Sequence, residues 1–466
     1  MIQVSVKKIA EFVSGELDAE SQIEVTGTVE TDSRLCGPGS LFVAKPGEFT
    51  DGHEFISSAV DRGAVAVIVE HFVSGITVPQ IKVQDSVAAL GLLAMNVLSV
   101  IRAKTDLKVI GITGSNGKTT TKNMLKAILS RAGETIAPIE SYNNEVGAPY
   151  SILQVTEKTK YLVVELGAGG FGTIKYLANI AKPDIGVVLK VGLAHVGEFG
   201  SIENTAKIKS ELVESLAPES IAILNYDDGY VREMAEKTKA KTLWFGTAAE
   251  ANFRADGQSV SVSGTHFDLS WPDGEKSSVN LQILGEHHVF NALAAAAVSH
   301  TLGVPKSEIV VALEQMPLAE RWRMETFHLG DGVVVINDAY NASPDSMKAA
   351  LQTLAQIGRG KHRTIAVLGE MAELGEFSRQ EHDAIGRVAV RLNIDQLVVV
   401  GDGAKLIHMG AEQEGSWGGE SKFFPEIDQA LAYLRGMLRA GDLVLVKSSN
   451  SANLRKLGDD LVEEVS

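Results

Sequence analysis

Short, strongly apolar runs alternate with helical patterns along most of this chain. A first set is residues 108–113 (Lys-Val-Ile-Gly-Ile-Thr), 161–165 (Tyr-Leu-Val-Val-Glu) and 185–189 (Ile-Gly-Val-Val-Leu). A second set is residues 333–338, 364–369, 396–401 and 442–447. Runs this apolar, with helices between them, predict parallel strands buried on both faces. Ligands gather at the carboxyl ends of such strands, so Thr113, Glu165, Asp338 and Lys447 fall where a site is expected. Residues 252–284 follow another pattern. There Ser-Val-Ser-Val-Ser and Phe-Asp-Leu-Ser-Trp alternate and Asp273-Gly274 signals a turn, which predicts antiparallel strands added to the central unit. The two strand groups, with a smaller α/β unit before them, predict an α/β fold of three domains at 1–105, 106–318 and 319–466. The charged stretches at residues 102–108 and 317–323 are the expected linkers.

Composition narrows the function. A chain of 466 residues exceeds one ordinary core, and 45% hydrophobic with 22% charged residues is the balance of a water-soluble globular protein. The net charge of -16 argues against nucleic acid or an anionic membrane as the main partner, while leaving room for a local basic pocket. The one cysteine, Cys36, has no internal partner for a disulfide, which fits a reducing compartment. No run approaches the roughly 18 apolar residues of a membrane span, and residues 1–17 lack the apolar core of a signal peptide. A cytoplasmic enzyme is expected, and with no long apolar heptad, a monomer.

Residues 111–121 (Gly-Ile-Thr-Gly-Ser-Asn-Gly-Lys-Thr-Thr-Thr) follow a predicted strand and precede a predicted helix. The apolar side of that helix includes Met124, Leu125, Ile128 and Leu129, with Gly133 as its expected C-cap. Glycines let a loop curl its N–H groups toward phosphate oxygens, and the helix N-terminus adds partial positive charge. In such a loop Lys118 spans the β and γ phosphates and the Thr119 hydroxyl meets Mg²⁺. The full GxxxxGK[ST] pattern needs a glycine at position 112, where Ile stands, so a glycine-rich turn with an incidental lysine is the competing reading. The loop indicates a nucleoside triphosphate and leaves the reaction open.

The shorter form Gly114-Ser115-Asn116-Gly117-Lys118-Thr119-Thr120 resembles the ATP loop of the Mur ligase family, and the resemblance runs along the whole chain. Thr31-Asp-Ser-Arg34, Leu41-Phe-Val-Ala44 and Asp51-Gly-His53 are similar to the family's segment that grips the UDP end of its substrate. Asn143-Asn144-Glu-Val-Gly147, Glu165-Leu-Gly-Ala168, Gly192-Leu-Ala-His195 and Ala206-Lys-Ile-Lys-Ser-Glu211 resemble its motifs for substrate, metal and a carbamoylated lysine. Gly285-Glu-His287 with Asn291 resembles its adenine-side motif. Arg323 and Asp338-Ala-Tyr-Asn341 resemble the C-terminal motifs that close over ATP. Residues 369–375 (Gly-Glu-Met-Ala-Glu-Leu-Gly), followed by His382, are most like the branch that adds a dipeptide, and the Asp-Asn-Pro-Arg of the branch adding a diamino acid is not found. Four places depart from the family pattern: Lys190, His288, Ser343 and the segment 448–450.

The resemblance implies a P-loop ATPase-like central sheet, a Rossmann-like C-terminal domain and ATP-dependent joining of D-alanyl-D-alanine to UDP-N-acetylmuramoyl-tripeptide through an acyl phosphate. The alternative within the family is addition of lysine or diaminopimelate to UDP-N-acetylmuramoyl-dipeptide. It further implies Lys118, Glu165, His195 and Lys209 as catalytic, and Thr119, Glu165, His195 and Lys209 around two Mg²⁺ ions, with Lys209 carbamoylated. Asn291, Arg323 and Asp338 are implied for the nucleotide, and Ser33, Arg34, Asn143 and Asn144 for the substrate. Read without the resemblance, several of these stay open. Lys209 then reads as a solvated helix lysine beside Glu211 and Glu214. Ser33 and Arg34 read as a turn with a surface arginine, His195 as a satisfied loop histidine and Glu165 as a helix-side charge. Asn291, Arg323 and Asp338 read as capping or interface groups.

Overall fold

The computed structural model describes residues 1–47, 50–138, 141–194, 196–316, 321–415 and 418–463. Among them the strands form three main sheets in chain order, each with helices packed on it. The first has the order Glu16–Leu17, Gln80–Lys82, Ala64–Val69, Ser40–Val43, Val29–Glu30, parallel except at the Glu16–Leu17 edge. Its long helix Ser86–Arg102 starts at Asp85, whose carboxylate accepts from the N–H groups of Val87 and Ala88 at 2.8 and 2.9 Å. The apolar side of that helix also packs on helices Gly147–Ile152 and Thr173–Ala181 of the second unit. The stretch after it is tied down: Arg102 donates to Lys182 O and to Asp184, and Leu107 is buried.

The central sheet runs Lys276–Leu281, Gly264–Ser270, Phe253–Ser261, Lys241–Gly246, Ile221–Asn225, Ile185–Val188, Lys108–Thr113, Tyr161–Glu165, Thr135–Ile136. Pairing is parallel from Thr135–Ile136 through Phe253–Ser261, and the last two strands are antiparallel, as the alternation in that region predicts. Strands Lys108–Thr113 and Tyr161–Glu165 are buried along almost their whole length, which is why their sequences carry no polar alternation. Helix Lys118–Leu129 buries Met124, Leu125, Ile128 and Leu129. It ends at Ser130 rather than at Gly133. Gly133 instead lies against Lys160, whose Cδ would be 2.6 Å from a Cβ built there, so close packing explains this glycine.

The third sheet has the order Glu325–His328, Val334–Asn337, Leu443–Lys447, Thr364–Leu368, Gln396–Val400, Ser421–Phe424, parallel apart from the Glu325–His328 edge. Helix Pro344–Gly358 opens with a capping box between Ser343 and Ser346 and proline in its first turn. A single apolar cluster joins the central and third units, including Phe253, Leu284, Met347 and Leu351. The division expected at 318/319 lies on residues 317–320, outside the described residues. Among the described residues no helix is long and apolar enough to cross a membrane.

Candidate active site

Strand Lys108–Thr113 ends at the glycine-rich loop, and two glycines there need backbone that other residues avoid. Gly114 has φ +154° and Gly117 φ +86°. At Gly117 space matters as well, since a Cβ would lie 2.3 Å from Asn291 Oδ1. Ser115 pins the loop to the next strand end, accepting from Gly192 N–H at 2.9 Å while its own N–H donates to Lys190 O at 2.8 Å. Helix Lys118–Leu129 has no side-chain cap, so its first N–H groups face the space above the loop. Lys118 Nζ donates to Gly114 O at 2.7 Å. Enclosure lowers the pKa of that ammonium below the ordinary lysine value, the neighbouring Glu165 charge opposes the shift, and Arg323 adds to it.

Glu165, at the end of the neighbouring strand, has no exposed surface. Thr119 Oγ1 is 3.4 Å from its Oε2, and Lys122 Nζ, which donates to Pro138 O at 3.0 Å, is 3.8 Å from its Oε1. Burial raises the carboxyl pKa, opposed first by Lys122 and then by Lys118, Arg323 and Asn143. Oε1 accepts no hydrogen bond although it is buried. A hard carboxylate oxygen left in this state beside a threonine hydroxyl is suited to a divalent cation. Among the described residues no cluster of three or more His, Cys, Asp or Glu side chains forms a metal cage. Two protein oxygens with the remaining positions left to water and phosphate is the pattern Mg²⁺ prefers. His195 lies outside the described residues.

Lys209 overturns its solvated reading. It is 2% exposed, on helix Ile202–Glu214, and it lines the same cavity as the loop. Burial pushes its pKa well below the lysine range, the Lys118 charge lowers it further and Glu211 opposes. Glu211 is not solvated either: its carboxylate accepts from Gly172 N–H at 2.7 Å and Lys175 N–H at 3.0 Å, holding the start of helix Thr173–Ala181.

The cavity, about 410 Å³, lies between the central and third units. Its lining includes Ser115, Asn116, Gly117, Lys118, Thr119, Thr120, Asn143, Lys209, Asn291, Arg323 and Asp338, so loop, buried lysine and C-terminal motif meet at one place. Asp338 accepts from Met324 N–H at 3.0 Å and from Lys447 at 2.5 Å, while Arg323 stacks on Tyr340 at 4.1 Å and donates to Ser141 at 3.4 Å. Asn291 donates to His288 Nδ1 at 3.2 Å. His287 lines the cavity and burial lowers its pKa to about 4, with Asp338 opposing and Lys447 and Lys190 adding to the shift.

The remaining candidates stand elsewhere. Ser33 and Arg34 do not line this cavity. The Arg34 guanidinium is an exposed fork on Asp32, which lowers the Asp32 carboxyl to about 2. Asn144 accepts from the N–H groups of Val146 and Gly147, so it caps a helix turn. His53 accepts from Glu70 N–H at 2.9 Å and bonds Asp51 through Nδ1 at 2.6 Å, a structural clasp. Sequence reasoning passed over Asp345, which accepts from Leu193 N–H at 2.9 Å and so ties the third unit to the central one. Its signal was modest: an acid in the first turn of a helix that opens with Ser-Pro. Lys122 was missed altogether, because a lysine on a helix ordinarily reads as solvated.

The chain is similar to known proteins along its whole length. The Mur ligase middle domain matches residues 112–299, the Mur ligase glutamate ligase domain residues 322–450, and the Mur ligase family catalytic domain residues 26–97. The chain is 43% identical to the UDP-N-acetylmuramoyl-tripeptide–D-alanyl-D-alanine ligase of Mycobacterium bovis, covering 100% of this chain and 98% of that protein. A crystal structure of MurF from Acinetobacter baumannii superposes with a TM-score of 0.90 at 32% identity, covering 99% of both chains. MurF ligase from Thermotoga maritima in complex with ADP gives a TM-score of 0.83 at 27% identity, over 96% of this chain and 99% of that one.

Proposed function

The chain belongs to the Mur ligase family, and from that premise we propose that it joins D-alanyl-D-alanine to UDP-N-acetylmuramoyl-tripeptide, converting ATP to ADP and phosphate in cytoplasmic peptidoglycan precursor synthesis. The observation that carries the reading is the meeting of the glycine-rich loop, Lys209 and Arg323 at one cavity, with Glu165 buried behind it.

A carboxylate is a poor electrophile, since its charge repels an amine and oxide does not leave. Transfer of the γ-phosphoryl group from ATP to a carboxylate oxygen gives an acyl phosphate. The amine then attacks the carbonyl carbon, the C–O bond to phosphate breaks, and inorganic phosphate leaves. Little covalent chemistry falls to the protein, whose work is positioning and charge neutralisation. The loop N–H groups and Lys118 hold the β and γ phosphates, aided by Gly114, Ser115, Asn116, Gly117 and Thr120. Arg323, stacked on Tyr340, reaches phosphate from the C-terminal side. Asn291 and Asp338 take the adenosine end, and Asn143, which lines the cavity, is assigned to the carboxylate substrate by family resemblance.

Thr119 and Glu165 would hold Mg²⁺, with His195 and Lys209 assigned beside them by family resemblance. The metal, when bound, neutralises charge on the transferring phosphoryl group. Lys209 is suited to carbamoylation, because burial lowers its pKa and so favours the neutral amine that adds CO₂, releasing a proton and leaving an anion where a lysine would ordinarily carry a cation. Ser33 and Arg34 are assigned to the UDP end on the same family grounds. On the same reading the domains are assigned as 1–105, 106–318 and 319–466.

The test is mass spectrometry of the product from UDP-muramoyl-tripeptide, ATP, Mg²⁺ and D-alanyl-D-alanine. The expected product is the pentapeptide. Product formed only with lysine or diaminopimelate on the dipeptide substrate would overturn the assignment within the family.

A further inference from the structure

We infer that Lys190 is a further nucleotide-binding residue that contacts the phosphate joined to the ribose, on the side of the loop away from Glu165. The inference rests on the ATP-dependent reading above. In the central sheet, strand Lys108–Thr113 lies between Ile185–Val188 and Tyr161–Glu165. Glu165 ends one flanking strand and Lys190 follows the other, so they stand on opposite sides of the phosphate loop. The Lys190 backbone is pinned by the 2.8 Å bond that its carbonyl accepts from Ser115 N–H. Its side chain is exposed and lines the cavity.

Among the described residues this ammonium has no side-chain hydrogen bond and no ion pair within 4.0 Å, whereas the two carboxylates that line the cavity are already engaged. Asp338 is held by Lys447 at 2.5 Å, and Asp345 accepts from Leu193 N–H at 2.9 Å. Lys190 therefore presents uncompensated positive charge to whatever fills the space. An anion is the matching occupant. The far phosphates belong beside Lys118 and Thr119, next to Glu165. His287 and Asp338 mark the adenosine side, and Lys190 lines the same cavity with both. The phosphate between those two ends is the one bonded to ribose.

The experiment is calorimetric titration of the full chain with adenosine, AMP and ADP, comparing the native protein with Lys190→Met and Lys190→Gln, each checked for an unchanged thermal unfolding midpoint. Loss of a charge-assisted bond to phosphate predicts about tenfold weaker binding of both AMP and ADP, with adenosine unchanged. In turnover the Michaelis constant for ATP should rise by a similar factor while kcat at saturation stays within about twofold, and Lys190→Arg should recover most of the affinity. Native affinity for AMP and ADP in both neutral variants would overturn the inference. An equal fall for adenosine would do so too, since it marks a structural disturbance. Weaker ADP with unchanged AMP would move the contact to a farther phosphate and refute the assignment. Native protein that binds none of the three would instead sink the ligase reading, and this inference with it.

Discussion

Glu165→Gln separates the structural and chemical duties of one buried carboxylate. The substitution keeps shape and removes charge, leaving the Lys122 ammonium, 1% exposed as a residue, with Pro138 O at 3.0 Å as a hydrogen-bond acceptor. At 3.8 Å the charge pair is worth about 4 kcal/mol with an effective dielectric constant of about 20. Removing one partner of a buried pair typically costs about 3–5 kcal/mol, and the retained Pro138 bond argues for the lower end. Urea denaturation should therefore show Glu165→Gln destabilised by about 3 kcal/mol. Adding Lys122→Met removes the other charge of the pair and should return about 2 kcal/mol or more, a coupling readable as a double-mutant cycle. Activity should behave differently. Both variants lack the carboxylate charge proposed to hold Mg²⁺, and an amide oxygen is a weaker ligand, so phosphate release should fall by roughly a hundredfold or more in each and need higher Mg²⁺ for half-maximal rate. Recovery of activity along with stability in the double variant would refute the argument, because Glu165 would then serve only to neutralise Lys122.

Three further outcomes follow from the site. Lys209→Ala should lose most activity and regain part of it with acetate or formate, which replace a carbamate; full activity without rescue removes the carbamoylation proposal. Gly117→Ala combines φ +86° with a Cβ 2.3 Å from Asn291 Oδ1, so ADP affinity measured by calorimetry should fall about tenfold or more, and Asn291→Ala in the same background should not restore it fully because the backbone strain remains. Folding held His287 at a pKa of about 4, below its ordinary 6.5, so its contribution is complete above about pH 6.5 and is lost as pH falls toward 4, where the unfolded chain binds the extra proton. His287→Gln should thus flatten the stability loss between pH 7 and pH 4.5 by up to about 3 kcal/mol in denaturation curves, less where solvent reaches the ring.

Parallel strands were legible because they are buried on both faces, so that stretches such as residues 161–165 and 364–368 carry almost nothing but apolar side chains. The loop was legible for a similar local reason: glycines at positions 114 and 117 answer to backbone angles. What escaped was polar burial. Helix Ile202–Glu214 reads as surface by composition, yet Lys209 faces the cavity and Glu211 caps a helix that starts near residue 173. Lys122 likewise sits inside because Glu165, 43 positions on, arrives beside it through sheet pairing. Asp345 gains its role only when the third unit packs against residues 192–193. In each case the partner is distant in sequence, and no local pattern encodes it.

The account depends on phosphoryl transfer to the peptide acid before nitrogen attacks. Substrate labelled with ¹⁸O in that carboxylate should pass one labelled oxygen into the inorganic phosphate released as product forms, detectable by mass spectrometry or by the isotope shift in phosphorus NMR. Verified product accompanied only by unlabelled phosphate would contradict it.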